Sequence, residues 1–86
     1  METLVVTHEV DDVQHWLSSP KREELMGPLG ITVRTFHDPG GSNKVALVVE
    51  TPSMDAWQQA LEGADAAEAM NHDGVRPETI LGFVEG

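Results

Sequence analysis

A histidine near the start of the chain, His8, is the residue whose type and position best suit chemistry. It lies in a β-branched segment whose alternation predicts a strand, and it shares one face of that strand with Leu4, Val6 and Val10. An imidazole among apolar side chains has its pKa lowered by desolvation and stays neutral, as a general base must. His8 is therefore a candidate catalytic base. The alternative is a histidine hydrogen-bonded within the core.

Two tryptophans occupy the apolar stripes of two predicted helices. Trp16 lies between Val13 and Leu17 at helical spacing, and Trp57 has the same kind of position in the second helix. Most such tryptophans fill a core, and this chain has no Tyr and only two Phe to share that task. They are also suited to form the wall of a pocket for a planar substrate, with Met70 as an adaptable lining residue. Trp16, Trp57 and Met70 are therefore candidate substrate-binding residues.

The predicted second strand adds two polar candidates for substrate binding, Arg34 and His37. The Arg34 guanidinium suits a ligand carboxylate or phenolate, although an ion pair with Glu50 or Glu9 across the sheet is the favoured alternative. His37 ends the strand beside a turn, where most histidines are exposed and have no function.

No spacing of ligating residues indicates a metal or a cofactor. The four histidines form no H-x-x-x-H or H-x-H pattern, and His8 and Glu9 point to opposite faces of a strand. The chain has no Cys, which excludes disulfides and thiolate ligands, and no glycine-rich phosphate loop. The sequence predicts neither a metal nor a cofactor.

The charge balance argues against two classes of partner. Asp and Glu number 15 against 5 Lys and Arg, a formal net charge of −10, which disfavours nucleic acid and anionic membranes. No apolar run approaches the roughly 18–20 residues of a membrane span, and the first residues lack a secretory pattern. We therefore expect a cytoplasmic protein with no nucleic-acid or membrane partner.

The elements that position these residues follow the order β-α-β-β-α-β. Strands are predicted over 3–10, 31–37, 44–50 and 79–84. The first helix is broken at Ser18-Ser19-Pro20 and resumes over Lys21–Met26. The second begins after Ser53 and weakens at Gly63, and the capping box 65–68 restarts it through Met70. This order predicts one α+β domain over residues 1–86, with a ferredoxin-like four-stranded antiparallel sheet.

The strands are apolar on both faces, although the two helices of this topology cover only one. In the third strand Val45, Leu47 and Val49 alternate with Ala46 and Val48. Burying roughly 400–600 Å² of apolar area per subunit is worth about 10 kcal/mol, comparable with the stability of a small domain. We therefore predict a homodimer through the sheet face. The alternative is a monomer with a partly apolar open face.

Five short segments, spread along the whole chain, carry a resemblance to a known group of proteins. They are the strand ending His8-Glu9-Val10, the helical Asp12 and Trp16, the strand Val45–Glu50, the helix end Glu68-Ala69-Met70, and Gly74-Val75 followed by Pro77-Glu78. In these segments the chain resembles the dimeric α/β-barrel superfamily of ferredoxin-like proteins. That superfamily includes antibiotic-biosynthesis-type monooxygenases, haem-degrading monooxygenases and polyketide cyclases.

The resemblance implies two sheets facing each other across a dimer, with a small-molecule pocket between each sheet and its own helices. It does not carry over a specific activity. Haem-degrading relatives use an early Asn, a Trp in the second helix and a His near its end. This chain has His8, Ala60 and Met70 near those positions. The His-Pro-x-x-His run of plant-type cyclases is not matched at 63–65.

These observations favour a small homodimeric α/β-barrel protein that binds an aromatic or polyketide-like molecule. It would act as a cofactor-independent monooxygenase or cyclase with His8 as the base. The alternative is a non-enzymatic ligand-binding or regulatory dimerisation module. An enclosed cavity of a few hundred Å³ with His8 at its wall favours the first function, and a core filled by tryptophan and methionine favours the second.

Overall fold

Four antiparallel strands, which are β1 Glu2–Val10, β2 Thr32–His37, β3 Lys44–Thr51 and β4 Val75–Val84, form one sheet. The computed structural model describes residues 1–86. The spatial order of the strands is β2-β3-β1-β4. With helical segments after β1 and after β3, this is the predicted ferredoxin-like α+β fold, which is confirmed.

Four short α-helices pack on one face of the sheet, and a 3₁₀ turn over Gly27–Leu29 follows the second of them. They are α1 Val13–Ser18, α2 Lys21–Met26, α3 Met54–Glu62 and α4 Ala64–Asp73. The Asp12 side chain caps α1 by accepting from the His15 N–H, and the Ser53 hydroxyl caps α3 by accepting from the Ala56 N–H. The predicted breaks between α1 and α2 and between α3 and α4 are both present. No helix is long and apolar enough to cross a membrane.

The restart of the second helical segment differs from the prediction. Helix α4 begins at Ala64, with Gly63 as its N-cap and no side-chain cap, so the capping box predicted at Asp65 does not form. The extended backbone of Gly63 already separates α4 from α3, and a cap at Asp65 would fall inside the helix. The helix also continues past Met70 to Asp73, which places Asp73 in the interior.

The last strand begins at Val75 rather than at Thr79, so the predicted start is wrong by four residues. The pairing of β4 with β1 shifts register between Thr7 and Glu9, which leaves room for the irregular segment that contains Pro77. There the Thr79 hydroxyl accepts from the Glu9 N–H at 2.8 Å and donates to the Arg76 carbonyl at 2.6 Å. These side-chain bonds replace part of the ladder, and Pro77 is tolerated because β4 is an edge strand.

The chain turns from α4 into β4 at Gly74. Its φ of +71° lies in the left-handed region, and its N–H closes the helix by donating to the Asn71 and Met70 carbonyls. A Cβ at this position would lie 3.3 Å from the Asp11 Cβ. The Asp11 N–H donates to the Gly74 carbonyl at 2.9 Å, so this glycine joins α4 to the end of β1.

The two faces of the sheet have different environments. The helix-facing side carries the buried residues of β1 and β3, namely Leu4, Val6, His8, Val10, Val45, Leu47, Val49 and Thr51. The opposite side, which we call the open face, presents Val5, Phe36, Leu81 and Phe83, each between 41% and 59% exposed. The predicted alternation of β1 is confirmed, and His8 points toward the helices.

Candidate functional site

A cavity of about 410 Å³ lies between the helices and the sheet. Strand β1 contributes His8, helix α1 contributes Trp16, α2 contributes Arg22, and α3 contributes Trp57. Helix α4 adds Met70 and Asp73. Most of the remaining lining is aliphatic, so the space suits an apolar ligand with a few polar groups.

The His8 imidazole lies at the wall of this cavity and is only 6% exposed. Its Nδ1 lies 3.4 Å from the Glu9 carbonyl, and its ring meets the Trp16 ring edge-on at 5.5 Å. No protein group is hydrogen-bonded to Nε2. No buried side-chain nitrogen of the chain lacks a partner, so this atom is accessible to solvent, and His8 is one of the residues that line the cavity. Burial lowers the pKa of His8, and the nearby positive charge of Arg22 lowers it further.

Arg22 brings the only positive charge to the cavity lining. Its guanidinium lies over the Trp16 ring, 4.3 Å from the ring centre, and donates to the Trp16 carbonyl at 2.8 Å. It also pairs with the buried Asp73 carboxylate at 3.4 Å. Burial lowers the pKa of Arg22, and Asp73 opposes that shift. The cavity therefore has a neutral imidazole and a paired cation on one apolar wall.

The Asp73 carboxylate extends this network toward the surface. Its second oxygen lies 2.9 Å from His72 Nδ1, and the His72 carbonyl lies 2.7 Å from His15 Nε2. One potential ligand atom from each of His15, His72 and Asp73 lies within 4.8 Å of the others, a cluster that the sequence spacing did not reveal. Protein hydrogen bonds already occupy these groups, so the structure assigns no metal to them.

The structure brings together four of the six predicted site residues. His8, Trp16, Trp57 and Met70 all line the cavity. Trp16 and Trp57 are buried as well, so they serve as core residues and as cavity wall. His37 is exposed at the end of β2 and lies outside the cavity lining.

Arg34 lies on the open face of the sheet, away from the cavity. Its register partner is Val48, and its guanidinium lies over the Phe36 ring at 5.4 Å. It forms no ion pair with Glu50 or Glu9, so the ion pair favoured from the sequence is absent from this chain. The reason is register: Glu50 pairs with Thr32, and Glu9 is bonded to Arg76 instead.

Two polar residues of the cavity, Arg22 and Asp73, were not among the predicted candidates. A sequence signal for Arg22 existed, because it precedes Leu25 and Met26 by three and four residues and thus shares their inward helix face. For Asp73 no local signal existed. Its burial depends on α4 extending beyond Met70 and on an arginine 51 residues earlier in the chain.

Comparison with solved structures places this architecture among known folds. An antibiotic biosynthesis monooxygenase matches with a TM-score of 0.66 and 11% identity over 100% of this chain and 97% of that one. A candidate antibiotic biosynthesis monooxygenase from Nitrosomonas europaea matches with a TM-score of 0.70 and 13% identity, over 100% and 97%. A dimeric ferredoxin-like protein from an uncultured marine organism matches with a TM-score of 0.54 and 11% identity, over 99% and 91%.

No protein-family model and no curated protein sequence matches the chain. The solved structures share too few identical residues to carry an activity across, and they establish the fold. The resemblance inferred from the sequence is confirmed at that level: the chain has the ferredoxin-like fold of the antibiotic biosynthesis monooxygenases over its whole length.

Proposed function

We propose that this protein binds a small aromatic or polyketide-like molecule between its helices and its sheet. We further propose that it acts there as a cofactor-independent monooxygenase or cyclase. The observation that carries the proposal is the free Nε2 of His8 at the wall of a largely apolar cavity of about 410 Å³. A core filled by tryptophan and methionine alone would have left no such space, so the cavity favours ligand binding.

In this proposal His8 takes the proton in the first chemical step. Its lowered pKa keeps the imidazole neutral at neutral pH, so Nε2 has a lone pair available. The same shift makes His8 a weak base, which restricts it to acidic protons such as a phenol or a CH₂ beside a carbonyl. The apolar lining would exclude water from the resulting enolate or phenolate.

We also propose that the open face is covered by a second copy of the chain. Val5, Phe36, Leu81 and Phe83 form an exposed apolar surface on the side of the sheet that no helix covers. A solved neighbour with this fold is described as dimeric, which supports the same arrangement here. One domain over residues 1–86, associated as a homodimer in the cytoplasm, completes the proposal.

The test of the chemistry uses anthrone, a three-ring ketone whose CH₂ is acidic. With O₂, anthrone gives anthraquinone and one water, and the absorbance of the quinone follows the reaction. We expect the protein to accelerate this oxidation and His8→Ala to abolish the acceleration. The matched control is His15→Ala, which removes an exposed histidine outside the cavity.

Each outcome decides between the candidate functions. Acceleration that survives in His8→Ala overturns the role of His8 as base. Binding of anthraquinone by calorimetry without any acceleration of the oxidation favours the non-enzymatic binding module. Absence of binding in a folded protein overturns the ligand-binding function itself.

A further inference from the structure

Arg22 has hydrogen-bonding capacity that the protein does not use. A guanidinium carries five N–H groups. Two of them donate to the Asp73 carboxylate and the Trp16 carbonyl, which leaves three without a partner in the chain. The Arg22 side chain is only 14% exposed, so bulk water has limited access to these donors. A buried cation with free donors at a cavity wall is suited to an anionic oxygen.

The remaining cations do not offer this combination. Arg76 is bonded to Asp11 and Glu9, and Arg34 lies on the open face. Lys21 and Lys44 do not line the cavity. The chain as a whole carries a formal charge of −10, which repels anions at long range. A preference of this cavity for an anion would therefore have to come from Arg22.

We propose that Arg22 is the anion anchor of the cavity, and that the ligand is a planar aromatic molecule with one negatively charged oxygen group: a carboxylate, a phenolate or an enolate. The aromatic frame lies along the Trp16 and Trp57 walls, and the charged oxygen lies on the Arg22 guanidinium. The geometry that supports this is the position of Arg22 over the Trp16 ring, which places the cation beside an aromatic surface. This inference rests on the proposed ligand-binding function and names its substrate class.

Asp73 limits how strongly Arg22 attracts an anion. Its carboxylate is 3% exposed and contacts the guanidinium at 3.4 Å, which is long for a charge-assisted hydrogen bond. A ligand oxygen therefore competes with a weakly held partner. Asp73 also has His72 as a second partner, so it keeps a hydrogen bond when Arg22 turns toward the ligand. Asp73 is thus a positioning residue for Arg22 and does not itself touch the ligand.

The experiment compares two nearly isosteric probes, naphthalene-2-carboxylate and naphthalene-2-carboxamide, by isothermal titration calorimetry at neutral pH. We expect the wild-type protein to bind the carboxylate about tenfold more tightly, as a charged hydrogen bond in a partly desolvated site would give. Ala69→Phe, which narrows the cavity, should weaken both probes and thereby locate them in this space.

Two variants separate anion recognition from a structural role of the pair. Asp73→Asn keeps the charge of Arg22 and removes its competitor, so the preference for the carboxylate should increase. The double variant Arg22→Met with Asp73→Asn removes the cation without leaving a buried unpaired carboxylate, and the preference should disappear. Circular dichroism establishes that each variant is folded. A merely structural role would weaken both probes in both variants and leave their ratio unchanged.

The possible results distinguish this inference from the proposed function. Equal binding of both probes by the wild-type protein overturns the anion anchor but leaves aromatic binding intact. A preference for the carboxylate that persists in the double variant also overturns the anchor. Binding of neither probe to the folded protein overturns the inference together with the ligand-binding function.

Discussion

The guanidinium carbon of Arg22 lies 4.3 Å from the centre of the Trp16 ring, and the same guanidinium donates a 2.8 Å hydrogen bond to the Trp16 carbonyl. The Arg22 side chain therefore contacts Trp16 twice, once at its ring and once at its backbone carbonyl. Because Trp16 is 1% exposed and belongs to the hydrophobic core, this contact joins α2 to a core residue of α1.

Arg22→Ala should destabilise the protein by about 3 kcal/mol, because it removes the guanidinium that pairs with the buried Asp73 carboxylate. Loss of the contact with Trp16 adds to this effect. Urea unfolding followed by tryptophan fluorescence measures the change. Lys21→Ala is the control, since the neighbouring lysine forms no ion pair and should change stability by less than about 0.5 kcal/mol. Similar losses in both variants would contradict this role of Arg22.

Acidification should destabilise the wild-type protein more than His8→Gln. Burial and Arg22 hold the pKa of His8 below the ordinary value of 6.5, so the folded state resists protonation while the unfolded state accepts it. The contribution of His8 protonation to the free energy of unfolding is zero well above pH 6.5. It becomes unfavourable as the pH falls through 6.5, and it levels off below the pKa of the folded state. Unfolding free energies at several pH values from 7.5 downward measure this, and parallel profiles for the two proteins would contradict it.

Phe83→Glu should convert the proposed dimer to a monomer. Phe83 is 58% exposed on the open face, and a carboxylate there would have to be buried unpaired between two sheets. Light scattering after size exclusion should give about twice 9.4 kDa for the wild-type chain and 9.4 kDa for the variant. Gln58→Glu, an added charge on an exposed position of α3, should remain dimeric. A monomeric wild-type protein at micromolar concentration would refute the arrangement.

Gly74→Ala should cost about 1–2 kcal/mol of stability. The φ of +71° disfavours any residue with a Cβ, and the new atom would meet the Asp11 Cβ at 3.3 Å. The matched control is Gly27→Ala, whose Cβ would meet nothing within 4 Å at a helical φ of −54°. That substitution should leave stability unchanged or raise it by up to about 1 kcal/mol. Thermal or urea unfolding of both variants measures the difference in stability. Equal changes in stability for the two substitutions would show that a Cβ at position 74 causes no backbone strain.

The parts of the fold that local patterns determine could be predicted. The alternation of β1 placed His8 on the helix side, and the predicted break at Ser18-Ser19-Pro20 separates α1 from α2, although α1 includes Ser18. The start of β4 could not be predicted, because Pro77 reads as a strand breaker. The segment is a strand because Val75 and Arg76 pair with Val10 and Glu9 beyond a register shift, and because Thr79 adds hydrogen bonds there.

A residue of the candidate site could be predicted only where the periodicity of its own strand or helix was enough to place it at the cavity. His8, Trp16, Trp57 and Met70 face the cavity because their positions along strands and helices dictate it. The charged part of the site depends on Asp73 and Arg22, which lie far apart in the chain and meet only in the folded protein. No periodicity encodes such a pair.

The short break between α1 and α2 has a chemical consequence. In an uninterrupted helix, a residue six positions after Trp16 would lie about 9 Å along the axis and about 240° around it, and so on another side. Pro20 stands at the start of a new helix axis, and this redirection brings Arg22 back over the Trp16 ring. The proline does not line the cavity, yet it sets which charged side chain does. If Arg22 is the proposed anion anchor, substitutions at this bend should alter ligand preference without replacing any residue of the cavity lining.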